Sequence, residues 1–339
     1  ADVYALHSNP AKLAFVNAKR VGSIAYTPWL KKLVPDMNMG YVTLYNRIND
    51  NSAFSGAMRY FALGEIQFTD MQGSPIKTYS PNEFSVDLGY GMKFSGNLSG
   101  GVAMRYIYSD LTGGQSVGEI DTQPGQAFAV DIGTYYESDF TDNNQWAVGF
   151  NISNIGTKIA YTQEENYADF LPMNLKVGSR YSMKIDEYNR FSVAMDVNKL
   201  LVPTPPIYNN QSEIVLGQDD NVSVVSGIFQ SFGDAPDGIQ EEWRELMYSL
   251  GMEYWYNNQF ALRGGYFHEH ATKGNRKYFT TGIGLKMTAL TMDFAYLITA
   301  NPGVKSPLEG TMRFTLTFDV AGFTSAIFNS NEEAEGSIF

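Results

Sequence analysis

The side chains best placed to do chemistry in this sequence are His268, Glu269 and His270. Histidines at i and i+2 share one face of a strand, so this pair could hold a surface metal ion. A zinc-protease site needs its two histidines four apart on a helix, and this triplet does not supply that spacing. His7 is the only other histidine, so a three-histidine site would need the N-terminus to reach residue 268. The plainer reading is a group of solvated polar residues near a strand end. The chain has no cysteine, which removes disulfides, thiolate-ligated zinc and thiol nucleophiles. Gly89, Gly91 and Gly96 fall in a strand and a turn with no helix following, so they are not a nucleotide fingerprint. Glycines inside strands mark bends or crowding instead. No serine is spaced to pair with a histidine and an acid. The sequence therefore predicts a non-enzyme with no catalytic residue, cofactor or metal.

The residues left to carry function are apolar ones in connecting segments. The stretch 200–245 is far longer than a connection needs to be, and such loops are usually functional or disordered. It opens on LVPTPP (201–206), a stiff extended run. It continues through GIFQSFGDAPDG (227–238) and ends in EEWRELMYS (241–249), which reads as a helical turn capped by Asp237. Phe229, Phe232 and Trp243 are its large apolar side chains. Exposed aromatics on a rigid loop suggest a protein partner; packing over neighbouring loops is the alternative. The loop is acidic, with Glu213, Asp219, Asp220, Asp234, Asp237, Glu241, Glu242 and Glu245 against Arg244. A basic partner, or divalent-cation bridges to lipopolysaccharide, would suit it. A second apolar loop, YTPWLKKLVPDMN (26–38), joins Trp29, Leu30, Leu33 and Val34 to two lysines. Dipping into the outer membrane interface or gripping a partner would suit it; a lid packed on the barrel rim is the alternative. Trp29, Leu30, Phe229, Phe232 and Trp243 are the candidate partner-binding residues.

The elements that position these loops are legible from alternation. In EFSVDLGYGMKF (83–94), Phe84, Val86, Leu88, Tyr90, Met92 and Phe94 fall on one face and Glu83, Ser85, Asp87 and Lys93 on the other. That strand is about twice the usual five or six residues, near the length a tilted strand needs to cross a bilayer. The pattern recurs in about fourteen segments: 20–29, 39–48, 52–64, 82–95, 98–110, 125–138, 144–155, 171–185, 189–199, 246–256, 259–269, 276–288, 290–299 and 310–320. Every other connection is short, and the intervening ones are mostly long, as in a transmembrane barrel with turns at one end and loops at the other. Composition agrees. Aromatic residues make 14% and charged residues only 18%, yet mean hydropathy is -0.23, and no apolar run is long enough for a spanning helix. The formal net charge of -12 argues against nucleic acid, which needs a basic stripe.

The fold class is thus all-β, a transmembrane antiparallel β-barrel. Asp87, Arg105, Asp131, Asn151, Lys176, Arg180, Asp196, Glu253, Arg263, Lys286, Asp293, Arg313 and Asp319 are expected to face the lumen. Tyr26, Trp29, Tyr45, Tyr60, Tyr108, Tyr136, Trp146, Tyr181, Tyr254, Tyr256 and Tyr278 lie near strand ends and are expected in the interfacial aromatic girdles. Three parts follow: an N-terminal hatch (1–19), the barrel (20–320) and an acidic C-terminal tail (321–339).

The strings SNPAKLAF (8–15), AYTPWLKKLVPDMN (25–38), SPNEFSVDLGY (80–90), SDLTGG (109–114), NISNIGTKI (151–159), NKLLVPTPPIY (198–208), GIFQSFGDAPDG (227–238), FALRGGYFHE (260–269), KGNRKYFTTGIG (273–284) and RFTLTF (313–318) run along nearly the whole chain. Together they resemble the PorV family, outer-membrane barrels of the type IX secretion system of Bacteroidota and relatives of the FadL transporters. The resemblance implies fourteen strands around a lumen filled by the N-terminal segment, and a non-enzymatic role in the outer membrane. Loops would be extracellular and termini periplasmic or lumenal. It implies docking on the giant translocon barrel, capture of secreted cargo through its C-terminal signal domain, and delivery to a surface attachment complex containing a sortase. Lipid and lipopolysaccharide would surround the barrel. A FadL-like transporter of hydrophobic small molecules is the alternative, with Ile107, Trp255 and Phe267 as pocket residues.

Overall fold

The computed structural model describes residues 2–31, 34, 36–70, 72–116, 121–163, 168–300 and 308–320. The proposed tail, 321–339, and Leu33 lie outside the described residues. The first part of the barrel comprises β1 (Arg20–Pro28), β2 (Asn38–Asn49), β3 (Ser52–Ala62), β6 (Asn82–Lys93), β7 (Leu98–Asp110), β8 (Gly125–Glu137) and β9 (Asn144–Gly156). The second comprises β10 (Asn174–Lys184), β11 (Asn189–Leu200), β14 (Met247–Tyr256), β15 (Phe260–His268), β16 (Lys277–Lys286), β17 (Leu290–Thr299) and β18 (Met312–Asp319). Neighbours pair antiparallel, and β18 returns to β1 with Val21 opposite Asp319, closing the ring. Closure leaves no edge strand in the ring, whose unpaired backbone groups a bilayer would penalise by several kcal/mol per group. Each expected segment holds one of these strands, and the largest shift of an end, from 171 to Asn174, is three residues.

Two short hairpins lie outside the ring in the long connections: β4 (Ile66–Thr69) with β5 (Pro75–Tyr79), and β12 (Ile207–Tyr208) with β13 (Ile214–Leu216). Two helices follow the second, α2 (Val224–Gln230) and α3 (Ile239–Arg244). The expected cap of α3 needs correcting. Gly238, at φ 64°, occupies the cap position and provides no side-chain acceptor. The Asp237 N–H instead donates to Glu241 Oε2 at 2.9 Å. The helix side chain thus reaches back to the turn, which is half of a capping box.

Period-2 geometry sorts the side chains. Along β8, burial alternates residue by residue, with Ala127, Ala129, Asp131 and Tyr135 inside and Phe128, Val130, Ile132 and Tyr136 outside. Leu44, Leu88, Met104 and Phe128 are each more than 60% exposed on the outer face. Apolar exposure around the whole circumference is what lipid requires. Among the described residues, no helix is long and apolar enough to cross a membrane; the strands do so. Three expected girdle residues are corrected. Tyr45 points inward, its hydroxyl donating to the Leu13 carbonyl at 3.2 Å. Tyr278 lines the lumen and stacks on Phe267. Trp29 packs edge-on against Phe61 at the barrel mouth. Nearness to a strand end does not set the face; position in the alternation does.

The N-terminal segment packs inside this wall. It comprises α1 (Ala5–Ser8) and a 3-10 turn (Pro10–Phe15) against β3, β6, β7 and β8. Asn9 anchors it. Its Oδ1 accepts from the Ala11 N–H at 3.0 Å, and its Nδ2 donates to the carbonyls of Thr134 and Phe150 at 3.0 and 3.1 Å. Ser99 Oγ donates to the Ala11 carbonyl at 2.8 Å. The strand glycines explain the close approach: a Cβ on Gly101 would lie 2.3 Å from the Ala11 nitrogen. The half of the lumen lined by β10, β11 and β14 to β17 keeps a cavity of about 530 Å³, bounded in part by Asp196, Glu253, Arg263, Thr280 and Gly282.

Candidate functional site

The connection between β11 and β14 is built as a rigid body. Leu201 is buried, and its N–H donates to the Met173 carbonyl at 2.8 Å. Thr204 fixes the proline stretch twice: its N–H donates to Asp234 Oδ2 at 3.0 Å and its hydroxyl to Glu245 Oε1 at 2.8 Å. Ser223 caps α2 by accepting from the Ser226 N–H at 3.3 Å, as Ser does well at this position.

The acidic face of α3 is clamped by two lysines from other elements. Lys199, at the end of β11, donates to Glu242 at 2.9 Å and Glu245 at 2.6 Å. Lys273, from the loop after β15, donates to Glu241 at 2.6 Å and Glu245 at 2.9 Å. Lys273 also holds the Glu241 carboxyl below the usual carboxylate range. Burial pushes Glu245 up, but its bonds from Lys199, Lys273 and Thr204 outweigh burial and keep it low. Burial likewise opposes the charge on Lys273, and its two glutamates reverse that and raise it. Asp234 differs. Burial raises its carboxyl, the Thr204 N–H only partly offsets this, and Glu242 and Glu245 add to the rise. Its Oδ1 is buried with no partner among the described residues.

This clamp inverts the usual polarity of a surface helix, which faces its apolar stripe inward. With Glu241, Glu242 and Glu245 held against the barrel, Ile239 and Trp243 face out, 74% and 65% exposed. Val225 and Phe229 on α2 are 65% and 75% exposed, with Phe232 beside them at 53%. Each helix thus presents an i, i+4 apolar pair to solvent. Three of the loop's acids are neutralised internally, so its outer surface is more apolar than the sequence suggests. Trp29 and Leu30 belong elsewhere. They lie between β1 and β2, five strands round the ring from β14. Both are only partly exposed, with Trp29 seated on Phe61.

A second feature lies in the wall. Between β8 and β9 the register slips at Val130 and Ile132. This leaves Asp131 to accept from the Asn154 N–H at 2.7 Å, and Asn154 adopts φ 61°. Arg105 bonds Asp87, Asp131 and the Asn154 side chain from the lumen. Over the bulge is a cavity of about 620 Å³. Val86, Leu88, Met104, Phe128 and Val130 line it from the outer face, and Arg105 and Ala129 from the inner. Val224 of α2 covers one side.

The 268–270 triplet is a staple. Glu269 is buried and bonds Arg276 through both oxygens, at 2.8 and 2.7 Å. It is therefore not the solvated residue expected. Burial raises the Glu269 carboxyl, and Arg276 more than offsets this. His270 caps the next turn by accepting from the Thr272 N–H at 3.3 Å. Among the described residues no group of three or more acids and histidines fits a metal ion.

The model of the PorV family, described as type IX secretion system protein PorV, matches residues 1–207. The chain belongs to the PorV family. The match covers more than half of the sequence and ends in β12, before α2 and α3. This PorV-family barrel is accordingly an outer-membrane component of the type IX secretion system, and its family is non-enzymatic in kind. No curated protein matches the chain. Among solved structures, the Pseudomonas putida toluene transporter TodX is similar at TM-score 0.53 and 12% identity, over 93% of this chain and 91% of that one. The Ralstonia pickettii toluene transporter TbuX reaches TM-score 0.48 at 11% identity, over 93% and 92%. The TodX likeness shows a shared fold.

Proposed function

We propose that this barrel is a protein-docking shuttle. It sits with its long-loop end at the cell surface, binds the secretion translocon and the C-terminal signal domain of secreted cargo, and passes cargo to a sortase-containing attachment complex. The observation that carries this reading is the inverted polarity of α2 and α3. Apolar side chains held outward by a salt-bridged, rigid loop cost little further ordering on association, and large aromatics are the side chains that dominate interface energetics. Segment 1–19 acts as the hatch that keeps the lumen closed during this exchange. Phe229, Phe232 and Trp243 form the principal contact, with Val225 and Ile239 beside them. Trp29 and Leu30 form a separate rim contact.

The test is co-purification from detergent-solubilised outer membranes. Triple substitution of Phe229, Phe232 and Trp243 by Ser should deplete the translocon and cargo proteins recovered with the barrel, while the barrel keeps its heat-modifiable gel mobility. Undiminished recovery with a folded barrel would sink the assignment.

A second reading rests on the β8–β9 cavity. A cavity lined by Leu88, Met104 and Phe128 outside and by Arg105 and Ala129 inside suits movement of a small hydrophobic molecule through the wall. The toluene transporter TodX shares the fold. Under this reading, an aromatic hydrocarbon or fatty acid should co-purify with the barrel, and filling the cavity with Ala129→Phe should expel it.

A further inference from the structure

The cavity over the β8–β9 bulge opens on the face that meets lipid. Leu88, Met104 and Phe128 line it, and each is more than 60% exposed on that face. Its volume of about 620 Å³ falls within the roughly 300–1,000 Å³ of ligand pockets. Toward the lumen it ends at Arg105, whose buried guanidinium bonds Asp87, Asp131 and Asn154. A group entering from the membrane side stops at this cluster.

The cavity has a set height in the wall. Phe128 is the fourth residue of β8 and Val86 the fifth of β6, both counted from the long-loop end. Gly156, which also lines it, is the last residue of β9. Tyr106 stands between Phe84 and Phe128, with its ring centroid 6.2 and 5.2 Å from theirs. Its hydroxyl donates to Gln126 Oε1 at 2.8 Å. Aromatic rings with a polar tip mark the level of the headgroups. The cavity therefore lies in the half of the bilayer next to the long loops.

A roof separates this slot from ordinary wall. Val224 of α2 lines it. Val224 and Ile228, both partly buried, and buried Gly227 form the packed face of α2, while Val225 and Phe229 lie on its exposed face. Phe170, in the connection after β9, backs the helix: a Cβ on Gly227 would lie 3.1 Å from its ring. The Lys158 ammonium sits 4.2 Å from the centroid of the same ring. Lys158 directly follows Thr157, which lines the slot and whose N–H donates to the Phe128 carbonyl at 3.0 Å. Among the described residues Lys158 forms no ion pair with a carboxylate. A cation thus stands at the rim of an apolar slot.

We infer that the slot is a resident lipid site, which takes one acyl chain of a lipopolysaccharide and holds its phosphate beside Lys158. The slot is continuous with the lipid-facing surface, so an acyl chain is what fills it. Hydrophobicity gives that chain no preference over bulk hydrocarbon, which is equally apolar. Close contact with wall and roof and a cation at headgroup level do. Lipopolysaccharide is the lipid of the outer leaflet, so its choice over a glycerophospholipid rests on the surface placement of the long loops proposed above. The occupant differs from a molecule in transit, because it stays anchored in the leaflet by its headgroup. With Val224 over the chain, the lipid also supports the helix that presents Val225 and Phe229 for docking.

The test is native mass spectrometry of the full chain extracted from outer membranes in mild detergent, with heat-modifiable gel mobility reporting that each variant is folded. The wild type should retain lipopolysaccharide. Val86→Trp, which fills the slot, should lower retention by roughly tenfold. Lys158→Gln should lower it about fivefold, the worth of one lysine at an anionic lipid surface. Val102→Trp, on the outer face of β7 but outside the slot, should retain lipid as the wild type does. Removing the lipid should speed chymotrypsin cleavage after Phe229 and Phe232, and added lipopolysaccharide should restore protection in the wild type but not in Val86→Trp. No lipid on the wild type, or equal retention in Val86→Trp and Val102→Trp, would overturn the site and leave the placement of the loops standing. A glycerophospholipid retained instead, and lost in Val86→Trp, would overturn the lipopolysaccharide assignment together with that placement. A lone fatty acid or hydrocarbon in the slot would overturn it in favour of transport.

Discussion

Among single residues, Arg105 carries the greatest electrostatic responsibility in the wall. Its side chain is 7% exposed and joins carboxylates on two other strands, themselves 3% and 2% exposed. Removing one member of such a group strands the others, which typically costs about 3–5 kcal/mol. Arg105→Ala should therefore lower the urea midpoint for barrel unfolding markedly, whereas Asp87→Asn combined with Arg105→Gln should recover part of the loss. Equal loss in both variants would mean that packing, not charge, is what Arg105 provides. Asp234 predicts the opposite sign. Its carboxyl is raised by burial and two neighbouring acids, so the charged form opposes folding of the loop at neutral pH, and protonation favours it. Asp234→Asn keeps an oxygen for the Thr204 N–H and should leave the protease resistance of 201–246 unchanged or improved; faster cleavage would contradict this account. Alternation in the sequence indicated that Arg105, Asp87 and Asp131 point inward. It could not indicate that they meet, because register between strands depends on turns and on the β9 bulge at Asn154. The contacts between Lys199, Lys273 and α3 were illegible for the same reason: the partners come from separate connections.

Among elements, the N-terminal segment and the long loop show two ways of being held. The segment is held by close backbone approach over glycines. Gly101→Val would drive side-chain carbons into the backbone of Pro10 and Ala11, where overpacking costs about 1–3 kcal/mol or more. The expected result is a displaced segment, read as new protease cleavage between residues 9 and 19 in an otherwise folded barrel. Unaltered protection would mean that other contacts hold it. In-strand glycines were recognisable in the sequence as marks of crowding; what crowded them was not, since the contact is with a segment some 90 residues earlier. The long loop is held by charge, and that makes it sensitive to pH. Glu241 and Glu245 have lowered carboxyls in the folded loop, so the stabilisation they provide is complete above the ordinary carboxylate value of about 4.3 and is lost as pH falls through their depressed values. Lys273 is raised, so its share is complete below the ordinary lysine value of about 10.4 and is lost only above it. Cleavage within 201–246 should thus stay slow across neutral pH and accelerate in acid below about pH 4. In Lys273→Met, the acid dependence should flatten and cleavage at neutral pH should rise. The helices of this loop were only partly visible in advance because each has fewer than eight residues, too few for a helical period to stand out.

For the whole molecule, the decisive property is that one sequence alternation serves two solvents. The fourteen strands were legible because lipid outside and a polar lumen inside force strict period-2 patterning, and no edge strand breaks it. The same alternation yields a prediction that separates the two faces. Met104 is on the outer face of β7, 67% exposed, well inside the strand. An arginine near the bilayer midplane on this face costs about 2–4 kcal/mol, because its charge must leave water. Thr280 of β16 lines the lumen cavity that Glu253, Asp293 and Arg263 also line, where an added cation meets carboxylates and water. Met104→Arg should therefore shift the urea midpoint for unfolding in phospholipid bilayers to lower concentration, whereas Thr280→Arg should shift it little. The asymmetry should shrink in small detergent micelles, which deform around an outer charge more readily than a bilayer. Equal tolerance of arginine at both positions in bilayers would mean that the outer face at Met104 does not meet hydrocarbon. Given its place over the β8–β9 cavity, that face would then be covered by protein, most directly by the loop that carries Val224.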